Sequence, residues 1–149
     1  MGKIKAAVIG TGFTGEAHVE AVRRLGVAEV VALVGSSEEK AKEKAAEWGI
    51  PKAYGDYREM LADPEIQVVH NCTPNHVHHE INKAIILAGK HVLSEKPLAV
   101  TSEESAELLR LAEERGVVHA VNFNYRQFPM VRNLAAMVRG GELGRIYLI

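Results

Sequence analysis

The sequence Gly10-Thr11-Gly12-Phe13-Thr14-Gly15 lies between an apolar run, Ile4 to Ile9, and a helical pattern, Gly15 to Leu25. Glycines at this spacing, between a strand and a helix, give a tight turn, a close backbone approach to a ligand and close helix–strand packing. The helix beginning there turns free N–H groups and the positive end of its dipole towards whatever anion sits on the loop. The motif alone is weak, since a glycine-rich turn need bind nothing. Its place at the start of an alternating α/β chain makes it a dinucleotide site.

The alternation runs through most of the 149 residues. Glu29 to Val34 reads as a second strand, and Ser37 or Glu38 to Trp48 as an amphipathic helix stopped by Gly49 and Pro51. Asp56 to Glu59 has capping-box spacing and opens a short helix, broken at Asp63-Pro64. Val68 to Asn71 and His91 to Ser94 read as strands, with a helix from His76 to Ala88 between them. A further helix, capped at Thr101, runs to Arg115, and Val117 to Val121 is another strand. Strands apolar on both faces and separated by helices predict a Rossmann-type, doubly wound α/β fold. Its sheet is mostly parallel, with helices on both faces. After Val121 the rhythm breaks into a polar, aromatic connector, a helix from Met130 to Arg139 and a terminal strand, Arg145 to Ile149. The division expected is a dinucleotide-binding domain over 1–121, then a connector and the start of a second domain over 122–149.

At 47% hydrophobic the chain can bury a core, and 18 basic residues against 19 acidic leave a net charge of −1. That balance gives no electrostatic footprint for nucleic acid. The apolar runs are too short to span a bilayer. The N-terminus reads as a first strand, not a leader, and Ala6 stands where a myristoylation motif wants Ser or Thr. A single cysteine, Cys72, cannot form an internal disulfide, and a reducing cytoplasm is the expected setting.

The glycine fingerprint expects a carboxylate about twenty residues on, to bond the adenosine ribose 2′-hydroxyl. That position is Gly35, followed by Ser36 and Ser37. A glycine leaves room, two hydroxyls can donate to a 2′-phosphate, and Lys40 follows one turn later. NADP is therefore favoured over NAD, although Glu38 and Glu39 pull the other way and Ser37 also suits a helix N-cap.

His91-Val92-Leu93-Ser94-Glu95-Lys96-Pro97-Leu98 raises a separate question. Proline stops the strand and biases Lys96 towards extended geometry, so the lysine sits at a strand end. In an open parallel sheet, strand carboxyl ends line the ligand crevice. Lys96 is thus placed to aim an ammonium at the nicotinamide end of a cofactor or at a substrate oxygen, unless it is merely a surface lysine.

With GTGFTGEAH, CTPNHVHHE, AGKHVLSEKPLA and VNFNYR in order, the whole chain resembles the Gfo/Idh/MocA oxidoreductases, relatives of glucose–fructose oxidoreductase and inositol dehydrogenase. The resemblance implies an N-terminal Rossmann domain and a C-terminal α/β domain that binds substrate and mediates homo-oligomers. It implies hydride transfer to or from a sugar, polyol or related compound. The Glu-Lys-Pro lysine, Lys96, would position substrate and assist proton transfer, with Glu95 tuning or orienting the site. Thr73, Pro74 and Asn75 would skirt the cofactor, with Asn75 and His78 at its pocket, and Asn124 and Arg126 would reach cofactor or substrate. It also favours a cis Lys96–Pro97 bond. Cys72 reads as a small apolar residue, His18 as structural, and His76 and His79, with no further ligand spacing, as no metal site. Two other readings stay open: a non-catalytic redox sensor, against which the intact Glu95-Lys96-Pro97 argues, and a lyase or transferase with recycled NAD.

Overall fold

The computed structural model describes residues 2–147. Six strands, β1 (Ile4–Ile9), β2 (Ala28–Val34), β3 (Lys52–Tyr54), β4 (Val68–Asn71), β5 (His91–Ser94) and β6 (His119–Val121), form one sheet in the order β3-β2-β1-β4-β5-β6. Every pairing is parallel. The helices are α1 (Phe13–Leu25), α2 (Glu38–Glu47), α3 (Tyr57–Leu61), α4 (His78–Leu87), α5 (Ser102–Arg115) and α6 (Pro129–Arg139).

The strand residues alternate between two buried clusters, which is why the strands read as apolar throughout. Ile9, Val69 and Val92 face Met60 of α3, Ile81 and Ile85 of α4 and Leu108 of α5. Val8 and Leu33 face Val19 of α1 and Ala45 of α2. Helix ends follow local chemistry. Ser37 caps α2 by accepting from the Lys40 N–H at 3.3 Å, and Thr101 and Glu104 form a capping box on α5. Gly26 and Gly116 close α1 and α5 in the left-handed region, where a Cβ is disfavoured.

The differences from the sequence reading lie in short elements. β3 was not expected, because Lys52-Ala53-Tyr54 is too short to show a period. The helix expected from His76 is a 3-10 turn, Asn75–Val77, followed by α4. β6 begins at His119 instead of Val117, since the Val117 N–H still bonds the Ala112 carbonyl of α5. A second 3-10 turn covers Asn124–Gln127. Arg145 to Tyr147 has no regular structure, and the rest of the expected terminal strand, Leu148 and Ile149, lies outside the described residues.

The chain turns outward in both directions from β1 and β4, and this places the site. The loops after these neighbouring strands diverge at their carboxyl ends, the position at which doubly wound sheets bind ligands. Two ladder-like bonds hold the loops to the sheet, Gly10 N–H to Val34 O at 2.9 Å and Cys72 N–H to Ile9 O at 2.8 Å.

Candidate functional site

A cavity of about 610 Å³ opens at this switch point, a size suited to a small-molecule or cofactor site. Gly10, Thr11 and Gly12 line it after β1, Gly35 and Ser36 after β2, and Thr73 and Pro74 after β4. The three glycines of the loop do different work. Gly10 has φ +115°, and a Cβ there would meet the Cys72 carbonyl oxygen at 2.5 Å. At Gly15 a Cβ would lie 2.1 Å from the Gly10 oxygen, so α1 packs directly on the loop. A Cβ at Gly12 would meet nothing within 4 Å. Packing explains the outer glycines; the open space at Gly12, on the cavity wall, leaves room for close approach of a pyrophosphate.

The part of the cavity after β2, where the sequence reading expects the adenosine ribose, departs from that reading. Gly35 lines the cavity, but the space left by its missing side chain faces α2, where a Cβ would strike the Ala41 backbone nitrogen at 2.8 Å. Its small size lets α2 approach. Ser37 is taken up as the α2 cap, and neither it nor Lys40 lines the cavity. The cation that does is Arg58, with Asp56 and Tyr57 beside it at the start of α3. Arg58 stacks on the Tyr57 ring at 4.6 Å and pairs with Glu80 at 3.1 Å and Asp56 at 3.5 Å. Sequence reasoning missed it because Asp56-Tyr57-Arg58-Glu59 showed only a helix start, and only β3, itself unseen, brings that start to the crevice.

At the other end, buried polar side chains tie the strand ends together. Asn71 donates to Asn82 Oδ1 at 2.9 Å, Asn82 to Ser94 Oγ at 2.9 Å, and Thr73 Oγ1 to Asn71 Oδ1 at 2.7 Å. His78, 0% exposed, has Pro97 O at 2.6 Å on Nδ1 and Thr73 O at 2.7 Å on Nε2. Both ring nitrogens thus face backbone carbonyls, and His78 is not among the residues lining the cavity. His78 therefore does not reach the cofactor cavity; it staples the loop after β4 to the loop after β5.

The Lys96–Pro97 bond is cis, as expected, and Lys96 is exposed at the end of β5. The Glu95 carboxylate turns into the fold. Its carboxylate accepts from Asn122 Nδ2 at 2.6 Å, His18 Nε2 at 3.0 Å and the Lys96 N–H at 3.2 Å. Burial opposes its ionisation, but the bonds from Asn122, His18 and the Lys96 N–H outweigh burial and hold its pKa below the usual value. Glu95 therefore acts inside the fold, not on the cavity wall. His18 bonds His70 as well, Nδ1 to Nδ1 at 2.9 Å. Burial and then the His18 charge push His70 down to about 4. Cys72 lines the cavity from a buried position, and burial, followed by the Glu95 charge, pushes its thiol up to about 12. A thiol so raised is no nucleophile at neutral pH.

The remaining expected residues lie apart from the cavity. Phe13 and Thr14 sit exposed on the first turn of α1, and Asn75 is exposed in the 3-10 turn after β4. Asn124 and Arg126 lie in the second 3-10 turn, and Arg126 lines a separate depression of about 590 Å³ against α6. His79 pairs with Glu107 at 2.7 Å, binding α4 to α5. No helix of the described residues is long and apolar enough to cross a membrane.

A parallel doubly wound sheet with a glycine cradle at its switch point defines a dinucleotide-binding domain of the Rossmann class. Residues 4–123 match the Gfo/Idh/MocA family, described as an oxidoreductase family with an NAD-binding Rossmann fold. The chain belongs to that family. Levoglucosan dehydrogenase of Pseudarthrobacter phenanthrenivorans is 38% identical over 98% of this chain and 40% of its own length. A levoglucosan dehydrogenase structure in complex with NADH and levoglucosan superposes with a TM-score of 0.89, at 37% identity, over 97% of this chain and 41% of that one. An NADP(+) D-xylose 1-dehydrogenase of Haloferax volcanii is 34% identical over 93% of this chain and 42% of its own length. This chain thus spans about two fifths of the length of each of these relatives.

Proposed function

We propose that this chain is the cofactor-binding half of an NAD(P)-dependent oxidoreductase acting on a sugar, polyol or related hydroxy or keto compound. The observation that carries the reading is the open space at Gly12 on the cavity wall, together with an exposed ammonium at Lys96, just past the end of β5, that has no ion-pair partner among the described residues. Gly10, Thr11 and Gly12 would hold the pyrophosphate, Thr73 and Pro74 the nicotinamide side, and Ser36 and Arg58 the adenosine ribose. Bound there, the nicotinamide would supply or take up the hydride. Lys96 would give its proton to the carbonyl oxygen as the alcohol forms, and take it back in the reverse direction.

Substrate needs a second wall, which residues 122–149 would lead to. Helix α6 exposes Met130 and Leu134, an apolar face suited to further chain, and the homo-oligomer would form through that second domain. Proximity and orientation can supply about 7–11 kcal/mol of a catalysed barrier, and a half-site that cannot orient substrate forfeits most of it. This chain alone should therefore bind dinucleotide yet turn over sugars and polyols negligibly, while a form extended by a substrate domain turns them over. Comparable turnover by the two forms would contradict the reading.

We favour NADP over NAD on account of Arg58. No carboxylate follows β2 at Gly35, and Arg58 can offer a 2′-phosphate a forked, charged donor. Glu80 competes for that guanidinium. Arg58→Gln should weaken NADPH binding about tenfold, a loss of about 1.4 kcal/mol, and leave NADH within about twofold. Glu80→Gln should tighten NADPH alone. Fluorescence titration of both cofactors checks this, and equal losses for the two would remove Arg58 from cofactor choice.

A further inference from the structure

The Glu95–Lys96 pair carries an inference that rests on Lys96 facing the cofactor crevice. The two side chains are neighbours just past the end of β5, where strand alternation no longer compels them apart. A carboxylate and an ammonium so placed would ordinarily find each other. They do not: among the described residues Lys96 Nζ has no ion-pair partner, and the Glu95 side chain is only 12% exposed.

The hydrogen bonds explain why. An ionised carboxylate only accepts, so the His18 Nε2 facing Glu95 carries a proton. Asn122 Nδ2 donates to the same oxygen, and the 3.1 Å approach of Asn122 Nδ2 to His18 Nε2 is that of two donors converging on one acceptor. On the far side of His18, the Nδ1–Nδ1 contact to His70 admits one proton and no more. His70 donates to a neutral His18, or accepts from a charged one. In either state His18 keeps its Nε2 proton on Glu95. His18 is 7% exposed and His70 9%, so this chain of groups is fixed by packing from α1 and β4.

We propose that His18, backed by His70 and helped by Asn122, is a positioning residue that draws the Glu95 carboxylate into the fold and so presents Lys96 without an internal counter-ion. If the clamp is lost, Glu95 swings out and pairs with Lys96. The ammonium then has a carboxylate partner where it should meet a substrate oxygen.

The test is the rate at which limiting acetic anhydride acylates Lys96, read by peptide mass spectrometry relative to exposed Lys3. His18→Ala should slow Lys96 by about threefold, the size expected of an exposed ion pair. Adding Glu95→Gln should restore the rate, because the released side chain no longer carries charge; simple structural damage would not be rescued this way. Asn122→Ala, with and without Glu95→Gln, gives the same comparison at the edge of the cluster should His18→Ala fail to fold. An unchanged rate in the single variants, or a slowing that Glu95→Gln does not reverse, overturns the clamp. NADPH should also protect Lys96 in the wild-type chain. Absence of protection with the rescue intact would overturn the placement of Lys96 beside the cofactor, not the clamp.

Discussion

Gly15→Ala is expected to destabilise the chain by about 3 kcal/mol, lowering its melting temperature by roughly 10 °C. The added Cβ would lie 2.1 Å from the Gly10 oxygen and 3.0 Å from its carbonyl carbon, both backbone atoms. Gly10 has little space to retreat into, because the Cys72 carbonyl just past β4 lies where even a Cβ on Gly10 would come within 2.5 Å of it. Either α1 lifts from the sheet, exposing Val19 and Val22, or the loop breaks its bond to Val34. Gly12→Ala is the contrasting case. Its backbone, at φ −85°, suits any residue and its Cβ meets nothing, so stability should stay within about 0.5 kcal/mol. Dinucleotide affinity should nevertheless fall at least about tenfold, since the methyl occupies the cradle. Thermal melts and cofactor titrations separate the two effects. A Gly12→Ala chain that binds normally would mean the space serves no ligand.

Acid should weaken the fold through His70. Its folded pKa of about 4 lies below the unfolded value of 6.5, so on acidification the unfolded chain takes up this proton first. The contribution is intact above about pH 6.5 and is lost progressively as pH falls to 4, a total of about 3 kcal/mol. His119, also lowered by burial, acts in the same direction. Glu95 adds a later loss: its folded pKa is depressed, so its contribution, present above the unfolded value, disappears as pH falls through the folded one. Urea unfolding at stepped pH should show this slope, and His70→Asn should flatten it by up to one proton's worth, about 1.4 kcal/mol per pH unit. A variant with the wild-type slope would mean that His70 is not the buried titrating group.

The fold was legible because β1, β4 and the helices between them repeat one physical pattern, apolar strand then amphipathic helix. The glycine loop fixed where the crevice would lie. Legibility failed where function depends on residues brought together by short or irregular pieces. Arg58 enters the site through β3, three residues with no period, and so Lys40, closer in sequence to Ser36, looked the better cation. Gly35 lines the cavity, but its missing side chain faces α2, a packing reason that its place after the glycine fingerprint did not reveal. His18 and Glu95 are 77 residues apart, and no local spacing announces their bond. The family resemblance put His78 at the pocket; helix α4 turns it inward onto two carbonyls.

The central claim is that the crevice above β1 and β4 binds a nicotinamide dinucleotide. Titration of this chain with NADPH and NADH, followed by nicotinamide fluorescence, tests it most directly. Saturable binding of one dinucleotide per chain, weakened by Gly12→Ala without loss of the folded state, is the expected result. A folded wild-type chain that binds neither cofactor would contradict the account.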